Sequence, residues 1–63
     1  MTERDIAELA AILINEHGSA ALRIARGRRA QFAREPRSES FRLWRRIAAA
    51  TARLLRRRRV AGF

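Results

Sequence analysis

The stretch from Phe41 to Arg57, FRLWRRIAAATARLLRR, decides the fold predicted for this chain. At about 100° per residue, a helix built from it carries apolar side chains on one side and guanidinium groups on the other. The pattern therefore predicts an amphipathic helix over residues 39–57, with Ser38 or Ser40 as its N-cap. The residues that lie within about 80° of Trp44 on the helical wheel are Phe41, Ile47, Ala48, Thr51, Leu54 and Leu55.

Arginines occupy the side of this helix opposite Trp44, within an arc of roughly 120°. Side chains of this type form bidentate contacts with phosphate and carboxylate groups. We therefore predict that this side contacts a polyanion or an acidic partner, with Arg28 and Arg29 as a secondary basic contact. Because Arg58 would turn back toward the apolar side, residues 58–63 are predicted to fray, and the order of Val60–Phe63 is left open. The predicted contact residues are Arg42, Arg45, Arg46, Arg53, Arg56 and Arg57.

Two further helices are predicted upstream, over residues 3–16 and 20–34. Thr2 can cap the first, and Asp5, three positions on, completes a capping box. Gly18 and Ser19 are expected to form a joint, with one continuous helix through Gly18 as the alternative. Pro36 ends the second helix, because the residue before a proline disfavours helical geometry. The apolar face of the first helix is expected to hold Ile6, Leu9, Ala10, Ile12 and Leu13.

Three helices joined by short loops predict an all-α arrangement that forms one small domain over residues 1–63. The first and third helices are expected to supply most of the core. Arg28 and Arg29 interrupt the second helix, and the acidic first helix is expected to provide their carboxylate partners. We identify no strand signal and no internal repeat.

Composition excludes several classes of function. The chain has 63 residues, no cysteine and one histidine, so it has neither a disulfide nor a thiolate metal site. His17 beside Glu16 at a helix end does not make a base and nucleophile set in a pocket. We therefore predict a protein that is not an enzyme and that has no cofactor, metal or small-molecule substrate.

The sequence also lacks the features of a membrane or exported protein. No apolar run approaches the roughly 18 residues that a membrane-spanning helix needs. The N-terminus is acidic, whereas a secretory signal begins with basic residues. We therefore predict a cytoplasmic location.

Charge is strongly asymmetric along the chain. Residues 1–17 hold four carboxylates and one arginine, a net charge of −3, and residues 18–63 hold fourteen arginines and two glutamates, a net charge of +12. All fifteen basic residues are arginine, which fits either phosphate contact or a GC-rich genome. Such asymmetry indicates contact with a polyanion or an acidic surface.

Two functions remain open after these exclusions. The first is a small interaction protein that self-associates or binds an acidic protein partner as a small subunit. The alternative is a non-specific nucleic-acid-binding protein that uses the arginines of the third helix. Attachment to a membrane surface is not favoured, because the apolar side of that helix is needed for the core.

Three short segments of the sequence are EHGSAA at residues 16–21, RRA at residues 28–30 and WRRIAAA at residues 44–50. Together they resemble a family of very short, uncharacterised bacterial helical proteins. The resemblance covers roughly residues 5–54. It implies a helix, a His-Gly joint, a second helix with Arg-Ala, and a last helix that opens on Trp-x-x-Ile. This chain departs from the family at Pro36-Arg37, where Gly-Asp is expected. The residues that carry the resemblance are His17, Gly18, Arg28, Trp44 and Ile47.

Overall fold

The chain is built from α-helical segments. The computed structural model describes the backbone of residues 1–61 and the side chains of residues 1–58. Within it, α1 spans Glu3–His17, α2 spans Ala21–Gln31 and α3 spans Glu39–Ala61. The described residues contain no β-strand. The predicted all-α class is confirmed.

The junction between α1 and α2 confirms that Gly18 ends the first helix, but it differs from the predicted joint in how α2 begins. A single 3-10 turn, Gly18–Ala20, connects them without a loop, so helical residues follow one another from 3 to 31 although the chain changes direction at Gly18. Gly18 has a φ of +58°, a backbone conformation that favours glycine, and this residue redirects the chain. Ser19 does not cap α2, whose N-cap position is Ala20 without a side-chain hydrogen bond. The prediction of three helices with two loops is therefore corrected to two helical stretches among the described residues, separated by one loop at 32–38.

The other helix ends follow local hydrogen bonding. The Thr2 and Asp5 capping box is present, with the Asp5 amide donating to the Thr2 hydroxyl at 3.2 Å. Ser38 begins α3 by accepting a hydrogen bond from the Phe41 amide at 3.1 Å. The α2 helix ends at Gln31, before the predicted residue 34. The amides of Phe32 and Ala33 donate to carbonyl groups three residues back instead of four, which forms turns over residues 32–34.

The last helix is longer than predicted. It continues to Ala61, so the predicted end at residue 57 is too early. The fraying predicted for the chain end stays a prediction for residues 62 and 63. These two residues lie outside the described part of the chain.

The α3 helix is the centre of the fold, because it packs against both α1 and α2, which contact each other less. Glu3 at the start of α1 pairs with Arg46, and Ile14 near its end lines a groove with Leu54. Hence α1 runs parallel to α3. The chain reverses at Gly18, so α2 runs antiparallel to α3.

Small side chains dominate the core and allow the helices to approach closely. The Thr51 side chain is fully buried, and its hydroxyl donates to the Ile47 carbonyl at 2.7 Å, which satisfies the buried polar group. Trp44 is half-buried and packs against the core, as its place on the apolar side predicts. The buried residues are Ile6, Ala10, Ile14, Ala21, Ala25, Ile47, Ala48, Ala50 and Thr51.

One predicted core residue of α1 lies outside the core. Ile12 is 53% exposed, whereas Ile14 is buried. The α1 helix therefore presents a narrower apolar face to α3 than the periodicity predicts, centred on Ile6, Ala10 and Ile14.

Candidate functional site

The six predicted contact arginines lie on the side of α3 that faces away from the core. Five of them are exposed, and Arg46 is half-buried. The buried residues of α3 centre on the opposite side of the helix, and Ala49, which is exposed, lies directly across from them. We call these seven residues the arginine face: Arg42, Arg45, Arg46, Ala49, Arg53, Arg56 and Arg57.

The arginine face contains an internal repeat. Residues 42–46 read RLWRR and residues 53–57 read RLLRR, so the arginines recur after eleven positions. Eleven residues make about three helical turns and a rise of roughly 16 Å, so both copies point the same way. The expectation of no internal repeat is wrong here. A comparison of the two pentapeptides in the sequence would have shown it.

Helical geometry and packing divide the arginine face into three rows. Arg46 and Arg57 lie on the side of α3 next to α1, where Leu54 meets α1. Arg45 and Arg56 lie on the side next to α2, since Arg56 shares a groove with α2 residues. The row between them faces away from both helices and consists of Arg42, Ala49 and Arg53.

One carboxylate of α1 contacts the arginine face. The Arg46 guanidinium donates a hydrogen bond to a Glu3 carboxylate oxygen and forms an ion pair with it. This bond, the charge of Arg46 and the more distant Arg53 lower the pKa of Glu3 below its usual value. Part of the charge of Arg46 is therefore already neutralised within the molecule.

The remaining acidic residues of α1 have local roles. Glu8 lies 3.9 Å from Arg4, one turn away on the same helix. Asp5 accepts a hydrogen bond from the Thr2 amide at 2.9 Å, which lowers the pKa of its carboxyl group. The expectation that acidic residues of α1 pair with Arg28 and Arg29 is wrong, because the pair that forms between α1 and the basic segments is Glu3 with Arg46.

A groove lies where α3 passes the Gly18 turn. It has a volume of about 530 Å³, with apolar side chains on its floor and three guanidinium groups around it. We call it the elbow groove. Its lining residues are Gly18, Ser19, Leu22, Arg26, Ala52, Leu55, Arg56 and Arg58.

The structure brings together more of the site than the sequence predicts. The six predicted contact arginines of α3 share one face, whereas exposed Arg28 and half-buried Arg29 belong to α2 and are not part of it. Arg26 and Arg58 were not predicted as contact residues, yet both line the elbow groove. Arg58 lies there because α3 stays helical beyond residue 57, and the helical turn then brings this residue back toward the apolar side of the helix.

Two other features are absent from the described residues. No three histidine, cysteine, aspartate or glutamate side chains come together as metal ligands in the described chain. None of the helices described has the length and apolarity needed to cross a membrane.

Comparison with known proteins adds no relative. The chain matches no protein-family model, no curated protein and no solved structure. The resemblance to the very short bacterial helical proteins therefore stays a prediction.

Proposed function

We propose that this chain is a small, cytoplasmic, non-enzymatic protein that binds nucleic acid through the arginine face of α3. Binding is directed mainly to the phosphate backbone and is largely independent of sequence. The observation that carries the proposal is the repeat: six arginines in two matching groups, all turned away from the core on one rigid helix.

The chemistry of this face fits phosphates. Guanidinium groups bind phosphate oxygens in bidentate geometry and keep their charge at any physiological pH. The helix fixes the backbone positions of these arginines before binding, so the ordering cost is limited to their side chains. The displaced counterions of the nucleic acid supply the driving force.

The surface is poorly suited to a largely apolar protein interface. Met1 and Ile12 are the large apolar side chains that are strongly exposed among the described residues. Phe32, Phe41 and Trp44 are half-buried, and Trp44 packs on the core. Trp44, the aromatic residue type that most often anchors protein interfaces, is therefore engaged within the fold.

Self-association is also disfavoured by charge. Two copies with a net charge of +9 each repel one another. The acidic α1 offers little compensation, since Glu3 pairs with Arg46 and Asp5 is part of the helix cap of its own chain. A polyanion therefore fits better than a second copy.

The elbow groove favours a second candidate, an acidic protein segment. Its floor of Leu22, Ala52 and Leu55 could receive an apolar side chain, while Arg26, Arg56 and Arg58 pair with carboxylates around it. In this alternative the chain is a small subunit that binds an acidic protein partner.

A salt series separates the two candidates. Fluorescence anisotropy would measure binding to a random 20-base-pair DNA duplex, a single strand and poly-glutamate of equal charge. If six arginines contact phosphates, the log–log salt slope on duplex is about −5. Tight duplex binding with that slope supports the proposal. Binding to poly-glutamate alone favours the acidic protein partner, and failure to bind duplex in dilute salt refutes nucleic-acid binding.

A further inference from the structure

The layout of the arginine face points to a specific way of docking: we propose that α3 enters the major groove of B-form duplex DNA with Ala49 toward the groove floor. This inference rests on the proposed nucleic-acid binding and adds the form of nucleic acid and the orientation of the helix. It follows from the three rows of the face rather than from its total charge.

The flanking rows are placed for the two walls of a groove. Arg45 and Arg56 point to the α2 side of α3, and Arg46 and Arg57 point to the α1 side. The directions of adjacent arginines differ by about 100°, so each Arg-Arg pair diverges to both sides of the helix. A helix that lies in a groove has a phosphate strand on each side, and each row can contact one strand.

Within the middle row, Ala49 allows close approach between Arg42 and Arg53. Ala49 lies at the centre of the face and is exposed, and its side chain is a single methyl group. A helix is about 10–12 Å across and the major groove is about 12 Å wide. A single methyl group between Arg42 and Arg53 therefore lets the centre of α3 come close to the groove floor, while these two arginines extend along the groove. A methyl group there can also contact the thymine methyl groups on the groove floor.

The rest of the fold leaves this path open. The α1 and α2 helices both lie behind α3, on the side of Ile47 and Ala48. Because Ala49 is opposite this core, the helix can enter the groove with its neighbours outside. A helix that only followed one phosphate strand would need one row of arginines and no small residue at the centre.

A-form duplexes offer a direct test. The major groove of double-stranded RNA is deep and narrow, and a helix with its side chains cannot enter it. An RNA duplex of the same length carries the same phosphate charge, so it measures the electrostatic contribution alone. We expect the protein to bind the DNA duplex at least about tenfold more tightly than the RNA duplex at equal salt.

The experiment uses 20-base-pair DNA and RNA duplexes of one sequence and anisotropy at several salt concentrations. Ala49→Leu preserves charge and nearly all of the helix propensity, and its larger side chain keeps the centre of α3 farther from the groove floor. We expect this variant to lose about fivefold in DNA affinity while RNA affinity stays within about twofold. Ala7→Leu, at an exposed alanine of α1, is the matched control and should change neither affinity.

The outcomes distinguish the inference from the proposed function. Equal affinity of the unmodified chain for the two duplexes overturns groove entry but leaves phosphate binding intact. Affinity for neither duplex removes both. The ratio of DNA to RNA affinity is measured on the unmodified chain. It therefore tests groove entry even if Ala49→Leu does not fold. Helicity of each variant is checked by circular dichroism.

Discussion

The two copies of the arginine repeat share a sequence pattern and a face of α3, but they make different contacts with the rest of the fold. In the first copy, residues 42–46, Trp44 packs on the core and Arg46 pairs with Glu3. In the second copy, residues 53–57, Leu55 lines the elbow groove. No carboxylate of the described residues lies within ion-pair distance of the arginines in this second copy.

This difference shows how one motif can be divided between folding and binding. The first copy contributes more to stability, since it holds the large aromatic side chain and an ion pair to α1. The second copy contributes more available charge, since its guanidinium groups face solvent. Four substitution experiments test the contrast or make it sharper.

The largest expected effect is on binding. Replacing the arginines of the second copy with glutamine should weaken duplex DNA binding by about a hundredfold near 0.1 M salt and reduce the salt slope by about three. The matched triple variant of the first copy removes the same formal charge. It should lose only about twentyfold and about two units of slope, because Glu3 already neutralises Arg46 in part.

Anisotropy with one duplex measures both triple variants, and circular dichroism verifies that their helix content is kept. Equal losses would show that the Glu3 contact has no influence on binding. A larger loss from the first copy would reverse the contrast. Glutamine is used because it is nearly as good a helix former as arginine.

The second effect is on stability, and here the first copy should be the more sensitive of the two. Trp44→Ala should lower the free energy of unfolding by about 2 kcal/mol, because a half-buried aromatic contact with the core is lost. Leu55→Ala, at the equivalent position of the second copy, should cost about 1 kcal/mol. Urea unfolding followed by helicity gives both values, and a greater loss in Leu55→Ala would contradict the assignment of the first copy to folding.

A smaller effect concerns the contact that distinguishes the copies. Glu3→Gln should raise duplex affinity by about two- to threefold beyond the effect of net charge, since Arg46 then becomes available to phosphate. Glu8→Gln changes net charge equally but affects a carboxylate that lies by Arg4 on the same helix. The same gain in both variants would mean that only net charge matters.

The arginine face could be predicted from the sequence because it depends on a single helix. The 3.6-residue period alone separates Trp44 and Ile47 from the arginines, and the structure places both of these residues against the core. The Thr2 and Asp5 cap was predictable for the same reason, since its partners are three residues apart.

Features that depend on packing between helices could not be predicted. Glu3 and Arg46 are 43 positions apart, and no local pattern pairs them. Ile12 and Ile14 are both apolar, and only the direction from which α3 approaches α1 decides that Ile14 is buried. Packing likewise decides which flanking row of arginines lies next to α1 and which lies next to α2.

The smallest effect is on the pH dependence of stability, and it involves the two carboxyl groups in the first turn of α1, of which one contacts the first copy. The pKa of Glu3 is lowered by Arg46, and the pKa of Asp5 is lowered by its hydrogen bonds with Thr2. A carboxyl group with a lowered pKa in the folded state contributes stability above its unfolded pKa, and this contribution is lost as pH falls through the folded pKa. The free energy of unfolding should therefore fall as pH drops below about 4.5, the ordinary range of carboxyl groups.

Urea unfolding at a series of pH values should show a shallower fall in the free energy of unfolding for Glu3→Gln and for Asp5→Asn than for the unmodified chain. A Glu3→Gln curve parallel to that of the unmodified chain would show that the contact with Arg46 adds nothing to the stability of the first copy.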